Sequence, residues 1–472
     1  MTTINWFHEV EKRKDLLIEQ TQEFLRIASV LDESTATKQA PFGEGVASAL
    51  AYLLQKGEEN QFFVKNVDGY AGLIQHGEGE NSVGVLCHLD VVPAGKGWTS
   101  SPFSADIREN RIYARGAIDN KGPTMAAFVA LMIVKELELP LQKRVQMIIG
   151  TDEESNWRCV DYYFKHEEMP TIGFAPDADF PIIHAEKGIT DVSFNWKGKE
   201  KIEASRLRLQ RFDAGERLNM VPDHASVKIV GELGELEQLE KNFHQYILEI
   251  NQNGSATLDN GTLNLEFEGI SAHGSTPENG LNAGVYLAQF LANHSFQSAA
   301  NDFITFVVEH CDFDGKLLQI NTRDEVSGPL TINAGLLQFD QSGEAKAGLN
   351  IRYPVTASGE DCIEKLQGVA KRNGASLIVH DHMGPNYVEG DHPLIKTLQN
   401  VYERQIGEEP ELLAIGGGTY ARSLKTGVAF GPMFPGREDV AHKKDEYIDI
   451  DDLLKMTAIY AEAIYELAKD KE

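Results

Sequence analysis

Positive charge is scarce in this 472-residue chain: 44 Lys and Arg stand against 72 Asp and Glu, a formal net charge of −28. Such an excess repels nucleic acid and anionic membranes, and no clustered basic tract offsets it. Cysteine is scarce too. Cys87, Cys159, Cys311 and Cys362 are scattered with no Cys-x-x-Cys spacing, which excludes a disulfide framework and predicts free thiols in a reducing compartment. Long apolar runs are missing, so no membrane span is expected. Residues 1–30 are charged and amphipathic rather than signal-like, and a cytoplasmic location is expected.

What is present is ordinary for a folded protein: 42% hydrophobic and 25% charged residues. The length exceeds one core, so two or three domains are expected. Apolar runs at 82–87, 145–149 and 172–175 read as buried strands, and 125–136 as a helix whose first turn suits Pro123. This alternation predicts an α/β layer with a mixed, largely parallel sheet flanked by helices. One amphipathic helix is expected over 5–27. After residue 187 the texture changes to half-exposed alternating strands and amphipathic helices, one of them over 277–293. From residue 392 the α/β texture returns. Residues 1–186 with 384–472 are therefore expected to form one domain. Residues 187–383 are expected to form an inserted α+β domain with two ferredoxin-like halves.

Acidic and imidazole side chains gather where such strands end, the place where ligands bind open α/β sheets. His88 and Asp90 close the run at 82–87, two residues apart and able to share a face. A ligating histidine usually has its second ring nitrogen held by a carboxylate or carbonyl, and Asp90 is placed to do that. Glu153 and Glu154 follow the run at 145–149. One of two adjacent carboxylates can bind a metal while the other takes a proton from water. Asp177 follows the run at 172–175, with Asp179 as its competitor. Asp119 stands just before the helix at Pro123, and His442 is the late histidine of choice. Each has a plainer reading: a core histidine, a solvated acidic loop, or an Asp that caps a helix. Together they form a mixed nitrogen and oxygen donor set suited to zinc, manganese or cobalt without choosing among them, and a carboxylate shared by two ions fits a two-metal hydrolase.

The runs His88-Leu-Asp90-Val-Val-Pro-Ala-Gly, Gly116-Ala-Ile-Asp119-Asn-Lys-Gly and Asp152-Glu153-Glu154-Ser, with His442, resemble the di-metal exopeptidase family. That family includes carboxypeptidase G, succinyl-diaminopimelate desuccinylase, the aminoacylases and the carnosinases. Asn219-Met-Val-Pro-Asp223, Ser271-Ala-His273-Gly-Ser-Thr-Pro277 and Gly416-Gly-Gly-Thr419-Tyr-Ala bring the chain nearest to its bacterial dipeptidase branch. The similarity runs nearly end to end.

The resemblance implies two divalent ions per chain, zinc first, with manganese or cobalt as alternatives. It implies that Asp119 bridges them across a cis bond to Asn120, that His88 and Asp177 complete one ion, and that Glu154 and His442 complete the other. Asp90 would orient His88, and Glu153 would be the general base toward a metal-bridging water. The inserted domain would be a lid: His273 would stabilise the oxyanion, and Asn219, Arg352 and the backbone of Gly416, Gly417 and Gly418 would hold the substrate's terminal carboxylate. A forked guanidinium suits that last task, although a surface ion pair is the plainer reading of Arg352. The implied function is a metal-dependent dipeptidase acting on small peptides, including β-alanyl or histidine-containing ones, with no nucleic-acid or membrane partner. The large lid implies a monomer. An N-acyl amino acid deacylase or desuccinylase of the same family is the nearest alternative. A non-catalytic metal- or peptide-binding protein is the alternative from another class.

Overall fold

The computed structural model describes residues 4–198 and 205–469. The chain divides into two compact units: Met1–Ala185 with Tyr387–Ala414 and Gly418–Glu472, and Glu186–Asn386 with Ile415–Gly417.

The first unit is built on a nine-stranded sheet. Its order runs Phe63–Val67, Ala71–His76, Arg144–Gly150, Ser82–His88, Ile172–Ala175, Gly427–Ala429, Ile182–Glu186, Asn386–Tyr387, with Leu412–Ile415 also paired to Ile182–Glu186. The four central strands, from Arg144–Gly150 to Gly427–Ala429, pair in parallel; Phe63–Val67, Ala71–His76 and Ile182–Glu186 outside them join antiparallel. The sheet is thus mixed, with its parallel part confined to the centre. Burial explains this. Ser82–His88 is buried at every position, as a parallel strand covered on both faces must be, whereas Phe63–Val67 is largely exposed. The helices Lys121–Glu136 and Ile450–Ala468 pack against each other beside this sheet and are buried over most of their length.

The second unit holds an eight-stranded antiparallel sheet. Half of it is made by Gly188–Trp196, Thr331–Asp340, Ala345–Tyr353 and Ser376–Met383 with the helices Ser298–His310 and Gly359–Arg372. In chain order this is β-α-β-β-α-β, and in space the first strand lies between the third and the fourth, the ferredoxin-like arrangement. The other half, Leu207–Ala214, His224–Gly231, Asn253–Asp259 and Thr262–Glu268 with the helices Leu233–Glu249 and Ala283–Leu291, has the same spatial order from a permuted chain. It enters between the first strand and first helix of its sister. One apolar cluster, including Phe194, Phe212, Phe303, Phe306 and Phe339, spans both halves.

Two expected helices are interrupted. The helix over 5–27 is two, Trp6–Glu11 and Lys14–Leu25; Arg13 leaves helical geometry at the break, and its guanidinium bonds Glu9 and Glu136. The helix over 277–293 is a short 3-10 turn, Pro277–Asn279, followed by Ala283–Leu291, because Gly280 is extended and the Asn282 side chain caps the second helix at Val285.

Candidate metal centre

His88 is the last residue of its strand and is fully buried. Its Nδ1 lies 3.0 Å from the main-chain oxygen of Asp90, which fixes the ring and turns Nε2 outward. Nε2 stands 3.0 Å from Oδ1 of Asp119 and 3.2 Å from Oδ1 of Asp177. Asp119 sits in the turn before Lys121–Glu136, and its bond to Asn120 is cis. It does not cap that helix: Asn120 occupies the cap position, and its Nδ2 donates to Pro176 and Asp177 instead. The second oxygen of Asp119, Oδ2, lies 2.9 Å from Nε2 of His442. His442 Nε2 is also 3.1 Å from each oxygen of Glu154. Glu153 reaches within 4.0 Å of His88 Nε2.

The loop bearing both glutamates is fastened twice. Asp90 Oδ1 accepts the Glu153 N–H at 3.1 Å and Oδ2 accepts the Glu154 N–H at 3.0 Å. Asp152 accepts both Nε and Nη2 of Arg158, at 2.8 and 3.0 Å. Asp90 thus meets His88 through its carbonyl, one of the two groups expected to hold a ligating histidine. The Asp90 carboxylate is engaged by two amides, and Oδ1 stands 3.6 Å from the ring nitrogen.

Two compact donor sets, His88–Glu153–Asp177 and His88–Asp119–Glu154, have ligand atoms within 4.8 Å of one another. His442 joins them through Asp119 and Glu154. Asp179 stays away from both sets; it lines a separate cavity with Phe180, Tyr402 and Phe434. Burial, with Asp177 close by, pushes Glu153 well above the ordinary carboxylate range. Burial raises Glu154 and Asp177 as well. Burial opposes a charged His88, yet Asp177 and Asp119 outweigh it and raise its pKa. Asp119 and Glu154 lift His442 to about 10. Protonated imidazoles thus partly balance an excess of carboxylates, the position that divalent cations take in sites of this donor chemistry. The residues fit such ions.

In the second unit, the remaining expected residues other than Gly418 cluster. Arg352, in the strand Ala345–Tyr353, donates Nε to Asn350 at 2.8 Å and Nη1 to the Gly416 oxygen at 3.2 Å. Gly416 packs on Ser275, and a side chain there would strike it at 2.9 Å. The Nδ1 of His273 is 2.6 Å from Ser275 Oγ, and the Asn219 carbonyl accepts the Gly274 N–H at 2.7 Å. Gly417 belongs to the same unit, whereas Gly418 falls in the first.

Several residues around the donor sets escaped the sequence reading. Thr124 donates to the His88 oxygen and Tyr420 packs edge-on to the His88 ring. Arg115 and Glu446 form a buried pair behind Asp119. Arg115 directly precedes the Gly116–Gly122 motif and Glu446 lies four residues after His442, so proximity to motifs was the available signal.

Residues 84–466 match the model of peptidase family M20/M25/M40, and the chain belongs to that family. YtjP of Bacillus subtilis (strain 168), whose dipeptidase designation is provisional, is 54% identical over 468 residues, covering 99% of this chain and 100% of that protein. A similarly designated Staphylococcus epidermidis protein is 41% identical, covering 98% and 99%. Among solved structures, the aminoacylhistidine dipeptidase of Vibrio alginolyticus is similar with a TM-score of 0.59 at 15% identity, covering 96% of this chain and 97% of that one. Human carnosine dipeptidase 1 gives a TM-score of 0.56 at 14% identity, covering 98% of both. These two likenesses establish a shared fold.

Proposed function

We propose that the chain is a metal-dependent dipeptidase. In this reading His88, Asp119 and Asp177 hold one divalent ion, and Asp119, Glu154 and His442 hold a second. The observation that carries it is the two-sided engagement of Asp119, whose oxygens face different imidazoles at 3.0 and 2.9 Å. A ligand shared by two ions needs that orientation. The dipeptidase designations of relatives more than 40% identical over nearly the whole chain support the substrate class. Zinc is the proposed ion, with manganese or cobalt as substitutes.

When bound, such ions polarise a peptide carbonyl and acidify a water molecule. The chain's own residues do the rest. Glu153 takes the proton of the attacking water and passes it to the leaving amine. Asp90 fixes the loop that carries Glu153. In the second unit, proposed as a lid, His273 meets the oxyanion, and Asn219, Arg352 and the Gly416–Gly418 backbone hold the terminal carboxylate. A free dipeptide satisfies such a carboxylate site, and a closing lid limits substrate length. A cytoplasmic monomer is part of the proposal. Among the described residues no helix is long and apolar enough to cross a membrane.

Replacing Glu153 by Ala tests the proposal. Hydrolysis of a dipeptide should fall at least about 10³-fold while divalent-ion content is unchanged. Retained activity would remove Glu153 from the base role.

A further inference from the structure

Asp119 and His442 are more than three hundred residues apart in sequence, yet their side chains meet at 2.9 Å. One ion pair fastens the segments that carry them. Arg115 and Glu446 are buried, with side-chain exposures of 2% and 0%. Arg115 Nη1 donates to Glu446 Oε2, and Nη2 donates to the main-chain oxygen of His442 at 3.1 Å. The other carboxylate oxygen, Oε1, accepts the N–H of Ile118 at 3.0 Å and of Asp119 at 3.2 Å. The main-chain oxygen of Glu446 accepts the N–H of Ala114 at 3.0 Å.

Burying two charges is costly, and a buried pair is weak evidence for stability as such, since apolar replacements often serve a fold equally well. What this pair bonds is more informative. Apart from each other and the Trp98 ring beside Arg115, its side chains engage the backbones of Ile118, Asp119 and His442. Two of those three residues reach into the donor sets. His442 itself adopts a left-handed backbone, φ 62°, which few residues other than glycine take up without external support. Neither Arg115 nor Glu446 belongs to the donor sets; both act through the backbones they bond and are positioning residues.

We propose that the Arg115–Glu446 pair is a clasp that sets the separation of Asp119 and His442 and thereby the affinity for the ion these two would share with Glu154. The proposal rests on the two-ion reading above. Loss of the clasp should weaken chiefly the ion that needs His442, because the other keeps His88 and Asp177, which are anchored by other contacts.

The test uses the full chain, stripped of ions and titrated with cobalt(II) followed by visible absorption, with circular dichroism and thermal unfolding alongside. Wild-type protein should bind two equivalents. Arg115→Lys keeps a cation beside Glu446 but loses the fork to the His442 oxygen; Glu446→Gln keeps an acceptor for the amides but loses the charge. Both should weaken one equivalent about 10- to 100-fold and leave the other within about threefold. Arg111→Gln breaks a comparable but more exposed pair with Asp449 and should change neither equivalent. Unchanged cobalt affinities in folded Arg115→Lys protein would overturn the proposal. So would an equal loss in Arg111→Gln, which would mark a general stability effect. If Glu446→Gln does not fold, Arg115→Lys alone decides. Failure of the wild-type protein to bind cobalt would overturn the two-ion reading itself, and the clasp with it.

Discussion

Asp90 holds His88 with its main chain rather than its side chain: the carbonyl oxygen is 3.0 Å from Nδ1, while Oδ1 stands 3.6 Å away. The carboxylate is spent on the amides of Glu153 and Glu154. Asp90→Asn would place an NH₂ group against one of those N–H groups and loosen the loop. The expected result is a kcat/KM lower by about 10- to 100-fold, read by steady-state kinetics. Unchanged activity would contradict this division of labour.

Removal of divalent ions should make stability depend on pH in a defined direction. In the ion-free protein Asp119 and Glu154 raise His442 to about 10. A raised histidine contributes stability that is fully present below its unfolded pKa, near 6.5, and lost as pH rises through its folded value. Chelated protein should therefore show a Tm that falls between pH 7 and 10, and His442→Gln should flatten that slope. Parallel slopes in the two proteins would refute it.

Gly150 ends the strand that leads to Glu153, and a Cβ there would stand 1.9 Å from the Tyr420 hydroxyl. Tyr420 is buried, packs on His88 at a centroid distance of 6.0 Å and contacts Cys159. Gly150→Ala should cost about 1–3 kcal/mol in urea unfolding, as overpacking does. Adding Tyr420→Phe removes the nearest of the struck atoms, although the ring carbon behind it stays at 2.7 Å, and should restore part of the loss. An unchanged unfolding midpoint in the single variant would contradict the packing described.

Arg352 offers a sharper test of substrate recognition. If it receives the terminal carboxylate, Arg352→Lys should raise KM for dipeptides at least tenfold with a smaller change in kcat. The corresponding dipeptide amides, which lack the carboxylate, should lose little. Equal losses for both substrates would assign Arg352 a purely structural task, such as its bond to Gly416.

The legible parts of the chain were those where local chemistry and fold agree. Buried strands announced themselves as apolar runs, and the acids and histidines at their ends could be read because open α/β sheets gather ligands there. His88, Asp119, Glu154 and His442 converge in space as that logic requires. Relations through the backbone were not legible: nothing in a sequence tells whether Asp90 uses its side chain or its carbonyl. The Arg115–Glu446 pair joins residues 331 apart and exists only in the fold. Helix interruptions at Arg13 and Gly280 were missed because apolar spacing continued past them. The strands His224–Gly231 and Asn253–Asp259 and the helices Glu44–Glu59 and Ser298–His310 were passed over in the same way. The permuted half of the second unit shares its sister's strand order in space but not in chain order, so the kinship of the halves shows only in the fold.

The most direct measurement is a hydrolysis panel on ion-free protein with zinc, manganese or cobalt restored singly. The substrates are a free dipeptide, its N-acetylated form, a tripeptide and N-succinyl-diaminopimelate. Cleavage of the free dipeptide alone, dependent on a restored ion, is the predicted result. Cleavage of only the acylated compounds would contradict the dipeptidase reading and place the chain among the deacylases, and no cleavage with any bound ion would contradict an enzymatic function altogether.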